Sequence, residues 1–166
     1  MLATIGYEKS TLDDFIATLL LGDIEVLIDI RDRAQSRRHG FSKTALSQAL
    51  ADVGIKYIHL KALGDPKAGR DAARAGLMNK FREIFSSVLE QDAAKQALSE
   101  VEVLASSKRV CLMCYERDHH CCHRKMVSDY LESSLKEKTI HLGVKHGASG
   151  EAARRRMPYN CESATA

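Results

Sequence analysis

Glu25-Val26-Leu27-Ile28-Asp29-Ile30 decides the fold. The stretch is β-branched and nearly continuous in its apolar character, the pattern of a strand buried on both faces, as in a parallel sheet. It ends at Asp29, with Arg31 just beyond. Toward the N-terminus, Ser10 or Thr11 can cap a helix whose apolar face is Leu12, Phe15, Ile16, Leu19 and Leu20, stopped by Gly22. Ahead of that helix, Leu2 to Gly6 is short, apolar and closed by glycine, and reads as a buried strand with Tyr7 just past its end.

Toward the C-terminus, residues 32–41 have no apolar period and form a loop, after which Ser42 caps a helix carrying Leu46, Ala49 and Leu50 and ending near Gly54. Ile55 to Leu60 is a third strand with His59 near its end, and Leu63-Gly64-Asp65-Pro66 turns the chain. Residues 67–79 are polar, rich in Ala, Arg and Gly, and give no assignment. Phe81, Ile84, Phe85, Val88 and Leu89 fall at helical spacing, as do Ala97, Leu98, Val101 and Leu104. Val110 to Met113 is a fourth strand, Cys114 to His120 a loop, and Met126, Val127, Tyr130 and Leu131 outline a helix that starts near Cys122. Thr139 to Leu142 can be a last short strand. Strands alternating with helices predict a three-layer, Rossmann-like α/β domain: a mainly parallel sheet of four or five strands with helices on both faces. The domain is expected over residues 1–145, with a flexible basic tail over 146–166 that contains Arg154-Arg155-Arg156 and Cys161.

A chain of 166 residues with 45% hydrophobic and 28% charged residues can bury one core and does not have a disordered composition. A formal net charge of +3 is too small by itself to imply nucleic acid or an acidic membrane, so the local clumping of arginine matters more. Five cysteines are an odd count, and Cys111, Cys114, Cys121 and Cys122 crowd together, which argues against a framework of disulfides. No apolar run approaches the roughly 18 residues of a membrane span, and no charged-then-apolar leader follows Met1. The cytoplasm is the expected location.

In an open parallel sheet the ligand lies beyond the carboxyl ends of the strands. There the sequence places Tyr7, then Asp29 and Arg31 with Ser36, Arg37 and Arg38 in the following loop, then His59, then Cys114, Glu116 and the Cys122-His123-Arg124 helix start. Taken singly, each has an ordinary structural reading: Tyr7 a rim aromatic, His59 an edge histidine, Asp29 a cap or ion-pair partner. Their shared edge is what suggests a cleft. Forked arginine donors at Arg31, Arg37 and Arg124, with Ser36, suit a phosphate or carboxylate, against the alternative of a merely solvated loop. Cys122 at a helix start can be a nucleophile with a lowered pKa, can offer its amide to an anion, or can simply face the core. Asp29, Glu116 and His123 are the remaining candidates for proton transfer, Glu116 if burial raises its pKa. Tyr7, His59 and Cys114 are candidates for contacting the substrate. The Cys/His cluster from Cys114 to His123 is also a metal-binding alternative, although zinc usually draws ligand pairs from separate turns, so no metal ligand is assigned.

Several ordered motifs resemble the domain of unknown function 488 family: Thr4-Ile5-Gly6-Tyr7, Asp29-Ile30-Arg31, Ser36-Arg37 followed by Gly40-Phe41, Gly54-Ile55-Lys56-Tyr57 with His59, Leu63-Gly64, and Cys114-x-Glu116 followed by Cys122-His123-Arg124. The resemblance covers roughly residues 2–135. It implies a compact α/β domain of bacteria and archaea and carries no settled activity across. The chain departs from the pattern at Ala34 and His119, where family members often have proline. The first substitution loosens the basic loop, and the second adds a possible ligand or proton carrier.

The leading expectation is an enzyme acting on a small anionic, phosphate-bearing or nucleotide-like ligand, with the reaction type open. The alternative is a nucleic-acid-binding or regulatory module whose cysteines pack or sense redox state. An aromatic content of 5% without tryptophan leaves few stacking platforms for single strands. The sequence names neither a cofactor nor an oligomeric state.

Overall fold

The computed structural model describes residues 1–151. In chain order the strands are β1 (Leu2–Gly6), β2 (Val26–Asp29), β3 (Lys56–His59), β4 (Val110–Cys114) and β5 (Ile140–Leu142). The helices are α1 (Leu12–Leu21), α2 (Lys43–Ala51), α3 (Lys67–Arg74), α4 (Met78–Leu89), α5 (Asp92–Ser107) and α6 (His123–Leu135). The strands form one sheet in the order β3-β2-β4-β1-β5, and every pairing is parallel. This is the three-layer, Rossmann-like architecture expected.

Alternation along the strands splits the core into two layers, because successive side chains of a strand point to opposite faces. Ala3, Ile5, Leu27, Cys111 and Met113 pack with Phe15 and Leu19 of α1, Leu46 and Leu50 of α2, and Phe41. Leu2, Val26, Ile28, Val110 and Leu112 face Phe81 and Phe85 of α4, Leu98 and Val101 of α5, and Val127 and Leu131 of α6. The register sets Gly6 beside Cys114 and Asp29 beside both His59 and Met113, so the carboxyl tips of the inner strands end nearly level.

Two helix starts refine the sequence reading. Thr11, not Ser10, caps α1, its hydroxyl accepting from the Asp14 amide at 3.2 Å. Ser42 precedes α2 but makes no side-chain cap; its hydroxyl instead accepts from the Ser36 amide at 3.2 Å and folds the basic loop. The unassigned stretch after Pro66 contains α3, whose alanines favour helix even though it offers almost no apolar face. Gly69 belongs there because a Cβ at that position would collide with the Asp65 carboxylate.

Residues past β5 dock on α1. Asp14 accepts from the amides of Gly147 at 3.0 Å and Ser149 at 2.9 Å, bonds that hold its carboxyl down at about 2, and Ala148 is buried. The expected basic tail thus starts, among the described residues, with an anchored turn; Arg154-Arg155-Arg156 and Cys161 lie outside the described residues. Among the described residues no helix is long and apolar enough to cross a membrane.

Candidate functional site

A cavity of about 700 Å³ opens at the carboxyl edge of the sheet. Tyr7 after β1, residues 31–33 and 35–38 after β2, Cys114 at the end of β4 with Tyr115 and Glu116 beyond it, and His123 at the start of α6 line it, joined by Asp65, Arg70 and Arg74 around α3. Of the residues the sequence singled out, Tyr7, Arg31, Ser36, Arg37, Cys114, Glu116 and His123 share this cavity. Cys122 borders a smaller recess continuous with its floor through Asp65, Glu116 and His123. His59 stands apart: its Nε2 pairs with the Arg31 carbonyl at 2.8 Å, and it lines a separate depression with Arg33, Ala34, Gln35 and Lys43.

Asp29 and Arg31 are a buried clamp. The carboxylate is wholly inaccessible and receives Arg31 Nε at 2.8 Å, Arg31 Nη2 at 2.6 Å and the Tyr57 hydroxyl at 2.6 Å. Arg31 Nη1 donates to the Tyr7 hydroxyl and to the Phe41 carbonyl, both at 2.9 Å. Burial would weaken the guanidinium's hold on its proton, but Asp29 and Tyr7 outweigh that and keep it charged. Burial, followed by Asp29, also pushes the Tyr57 phenol up. All three guanidinium nitrogens of Arg31 are committed, so the group braces the cleft wall and has no fork left for a ligand. Tyr7 is likewise a core aromatic, stacked on Phe41 at 4.4 Å between ring centres.

Arg124 is a second clamp and not a surface cation. It is almost wholly buried, and its Nη1 and Nη2 donate to the carbonyls of Glu116 and Arg117, the latter at 2.9 Å. It pins the loop after β4 against Gly6, where a Cβ would meet Arg124 Nη1 at 2.7 Å. Ser36 serves the basic loop, its hydroxyl accepting the Arg38 amide at 3.1 Å, while Arg38 Nη2 donates to the Ser10 carbonyl at 2.8 Å.

The cations left for a ligand are others. The side chains of Arg33 and Arg37 are exposed on the cavity wall and make no hydrogen bond or ion pair among the described residues. Across the opening, α3 contributes Arg74, only loosely paired with Asp71 at 3.9 Å, and Arg70, which reaches Asp32 at 3.1 Å and the Asp65 carbonyl. Arg70 and Arg74 went unrecognised in the sequence because the buried face of their helix is only Gly69 and Ala72, and Asp65 because it stands in the turn ahead of that helix; the Gly64-Asp65-Pro66 turn beside the third strand end was the available signal. Burial lifts the Asp65 carboxyl to about 6, against the pull of His123 and Arg70, and its Oδ1 has no hydrogen-bond partner among the described residues.

At the floor, Cys114 Sγ donates to Glu116 Oε2 at 3.1 Å and lies 3.6 Å from His123 Nδ1, which is 3.8 Å from Cys122 Sγ. His123 Nε2 is 2.9 Å from the Ile30 carbonyl; a carbonyl only accepts, so Nε2 carries the proton and Nδ1 turns to the sulfurs. Cys122 does sit at the N-cap of α6, but the position lowers nothing: burial pushes its thiol well up, and the neighbouring Cys114 adds to that. Its amide is taken by the His119 carbonyl at 3.2 Å and is not offered to an anion. Glu116 departs from expectation in the opposite sense. Burial disfavours its charge, yet donation from Cys114 and Cys122 outweighs this and holds the carboxyl below its ordinary value, making it an acceptor at neutral pH. Cys114, Cys122 and His123 present three ligand atoms within 4.8 Å of one another, the only buried group of its kind among the described residues.

A parallel sheet covered on both faces, with its polar side chains gathered at the carboxyl edge, places the molecule in the Rossmann-like class of α/β domains. The chain belongs to the family described as Domain of unknown function DUF488, which matches residues 11–131 and so spans every cavity residue named above except Tyr7. Searches of curated proteins and of solved structures found no match.

Proposed function

We propose that this protein is an enzyme that binds a small anionic, phosphate-bearing substrate in the edge cavity and acts on it at the Cys114–Glu116–His123 floor. The observation that carries the reading is the pairing of exposed, uncommitted Arg33 and Arg37 on the wall with a buried sulfur and imidazole and the half-buried Glu116 carboxylate below. A volume of about 700 Å³ suits a nucleotide-sized ligand, since such sites span about 300–1,000 Å³. Arg33 and Arg37, with Arg74 opposite, supply the forked donors, and ionised Glu116 is the proton acceptor beside the reacting group. Thiols kept free at Cys111, Cys114, Cys121 and Cys122 fit a reducing, cytoplasmic setting.

Amide-shift mapping with pyrophosphate and with nucleoside phosphates tests this. The expected shifts centre on residues 31–38, 65–74 and 114–116, and Arg37→Ala weakens binding about tenfold, equivalent to about 1.4 kcal/mol. Binding of DNA or RNA that is steep in salt, without any response to small phosphates, overturns the small-substrate reading in favour of a nucleic-acid module.

A further inference from the structure

The buried floor holds more than a proton relay. A tetrahedral zinc ion with thiolate and imidazole ligands has sulfur–nitrogen edges of about 3.6 Å, from bond lengths of about 2.3 and 2.05 Å. The two sulfur–nitrogen separations at His123 Nδ1, 3.6 and 3.8 Å, match that edge. We propose that Cys114, Cys122 and His123 form a tetrahedral site for a borderline-soft divalent cation, zinc in the cell, with the fourth position open to the cavity beside Glu116.

The ligands arrive from two elements, although all three lie in one short stretch of sequence. Cys114 is the last residue of β4, fixed in register with Gly6, and Cys122-His123 begins α6. Between them the chain turns back, and Arg124 holds the turn by the Glu116 and Arg117 carbonyls. The Ile30 carbonyl accepting from His123 Nε2 is the outer partner that a metal-bound histidine ordinarily has, and it turns Nδ1 toward the two sulfurs. Charge agrees as well. On binding, the two thiols and His123 Nδ1 release to solvent the protons they carry, and two thiolates with a neutral imidazole match the charge of the ion, so these three ligands and the metal together add no net charge beside Glu116. Two sulfurs and one nitrogen favour zinc over magnesium or calcium, which prefer oxygen shells.

Three protein ligands leave one vertex unfilled, the arrangement of catalytic rather than structural zinc. Cys114, His123 and Glu116 all line the cavity, so water or a ligand oxygen can take that vertex, with Glu116 placed as its base. The other cluster among the described residues, Asp118, His119 and His120, is formed by consecutive residues at the surface, where Asp118 already pairs with His120 at 3.0 Å. It serves as the competitor in the test. The proposal stands apart from the anion reading, because its measurements involve no phosphate.

The full chain, grown with added zinc and purified under reductant, is expected to carry one zinc per chain by elemental analysis. After exchange, cobalt is expected to give thiolate-to-metal charge transfer and intense tetrahedral d–d bands. X-ray absorption on the zinc form is expected to fit two sulfurs at about 2.3 Å and two light atoms at about 2.0–2.1 Å. Cys122→Ser loses the metal, while Cys121→Ser and His120→Ala retain it. Should Cys122→Ser fail to fold, the absorption shell of the unaltered protein decides. A shell of nitrogen and oxygen alone, protein that takes up neither zinc nor cobalt, or a Cys114–Cys122 disulfide trapped from freshly acid-quenched cells would overturn the proposal.

Discussion

Replacing Arg31 by leucine separates a clamp from a ligand-binding cation. The guanidinium makes two charge-assisted bonds to an Asp29 carboxylate with no solvent access and two more to the Tyr7 hydroxyl and the Phe41 carbonyl. Arg31→Leu leaves Asp29 buried with only the Tyr57 hydroxyl and the residue 31 backbone amide as donors. Removing one partner of a buried pair costs about 3–5 kcal/mol, because the stranded charge keeps its desolvation penalty without its counter-ion. With a urea dependence of about 2 kcal/mol per molar, the unfolding midpoint drops by about 1.5–2.5 M. Urea unfolding followed by circular dichroism reads this directly. Arg37→Leu, at an exposed position without partners, stays within about 0.5 kcal/mol of the parent. The double variant Asp29→Asn/Arg31→Leu recovers part of the loss, since no unpaired charge remains. A loss below about 1 kcal/mol for Arg31→Leu would refute the clamp and return Arg31 to the ligand-binding set.

Gly6→Ala thrusts a methyl group into the Glu116 carbonyl and Arg124 Nη1, so it lowers stability by about 1–3 kcal/mol and moves the amide resonances of residues 114–117; unchanged resonances there would contradict the close approach. His141 is stacked on His119 at 3.7 Å and paired with the Thr4 hydroxyl at 2.8 Å; burial first, then the neighbouring positive charges, lowers its pKa to about 4. The unfolded chain protonates this histidine first, so the stability it contributes is complete above about 6.5 and is lost as pH falls toward about 4. Its ring-proton titration by NMR checks this, and a midpoint near 6.5 would count against the packing.

How much was legible in the sequence depends on the range of the interaction concerned. Glu25 to Ile30 and Val110 to Met113 declare themselves as doubly buried strands because apolar continuity is local, and the alternation of strands with amphipathic helices then dictates a parallel sheet. Parallel topology alone sends every strand tip to one edge, which is why Tyr7, Ser36, Arg37, Cys114, Glu116 and His123 could be gathered in advance. The roles within that gathering were not legible. Arg31, Arg37 and Arg124 look alike in sequence, yet two are buried clamps and one is free, because which carbonyls and hydroxyls the loops fold back onto Arg31 and Arg124, at Tyr7, Phe41, Glu116 and Arg117, follows no helical or strand period. Helix α3 escaped because its buried face is made only of Gly69 and Ala72, residues too small to mark an apolar stripe in an eight-residue stretch, and with it went Arg70 and Arg74.

The sequence by itself determined the layers of this protein and the edge on which its polar residues meet, since both follow from short-range hydrophobic periodicity. Only the tertiary structure decided which charges are spent and which are available, and that Cys114 returns to within reach of His123 and Cys122 after a turn. The reason is physical: desolvation and hydrogen-bond pairing are set by whatever the fold brings alongside a side chain, and the neighbours in sequence seldom supply it.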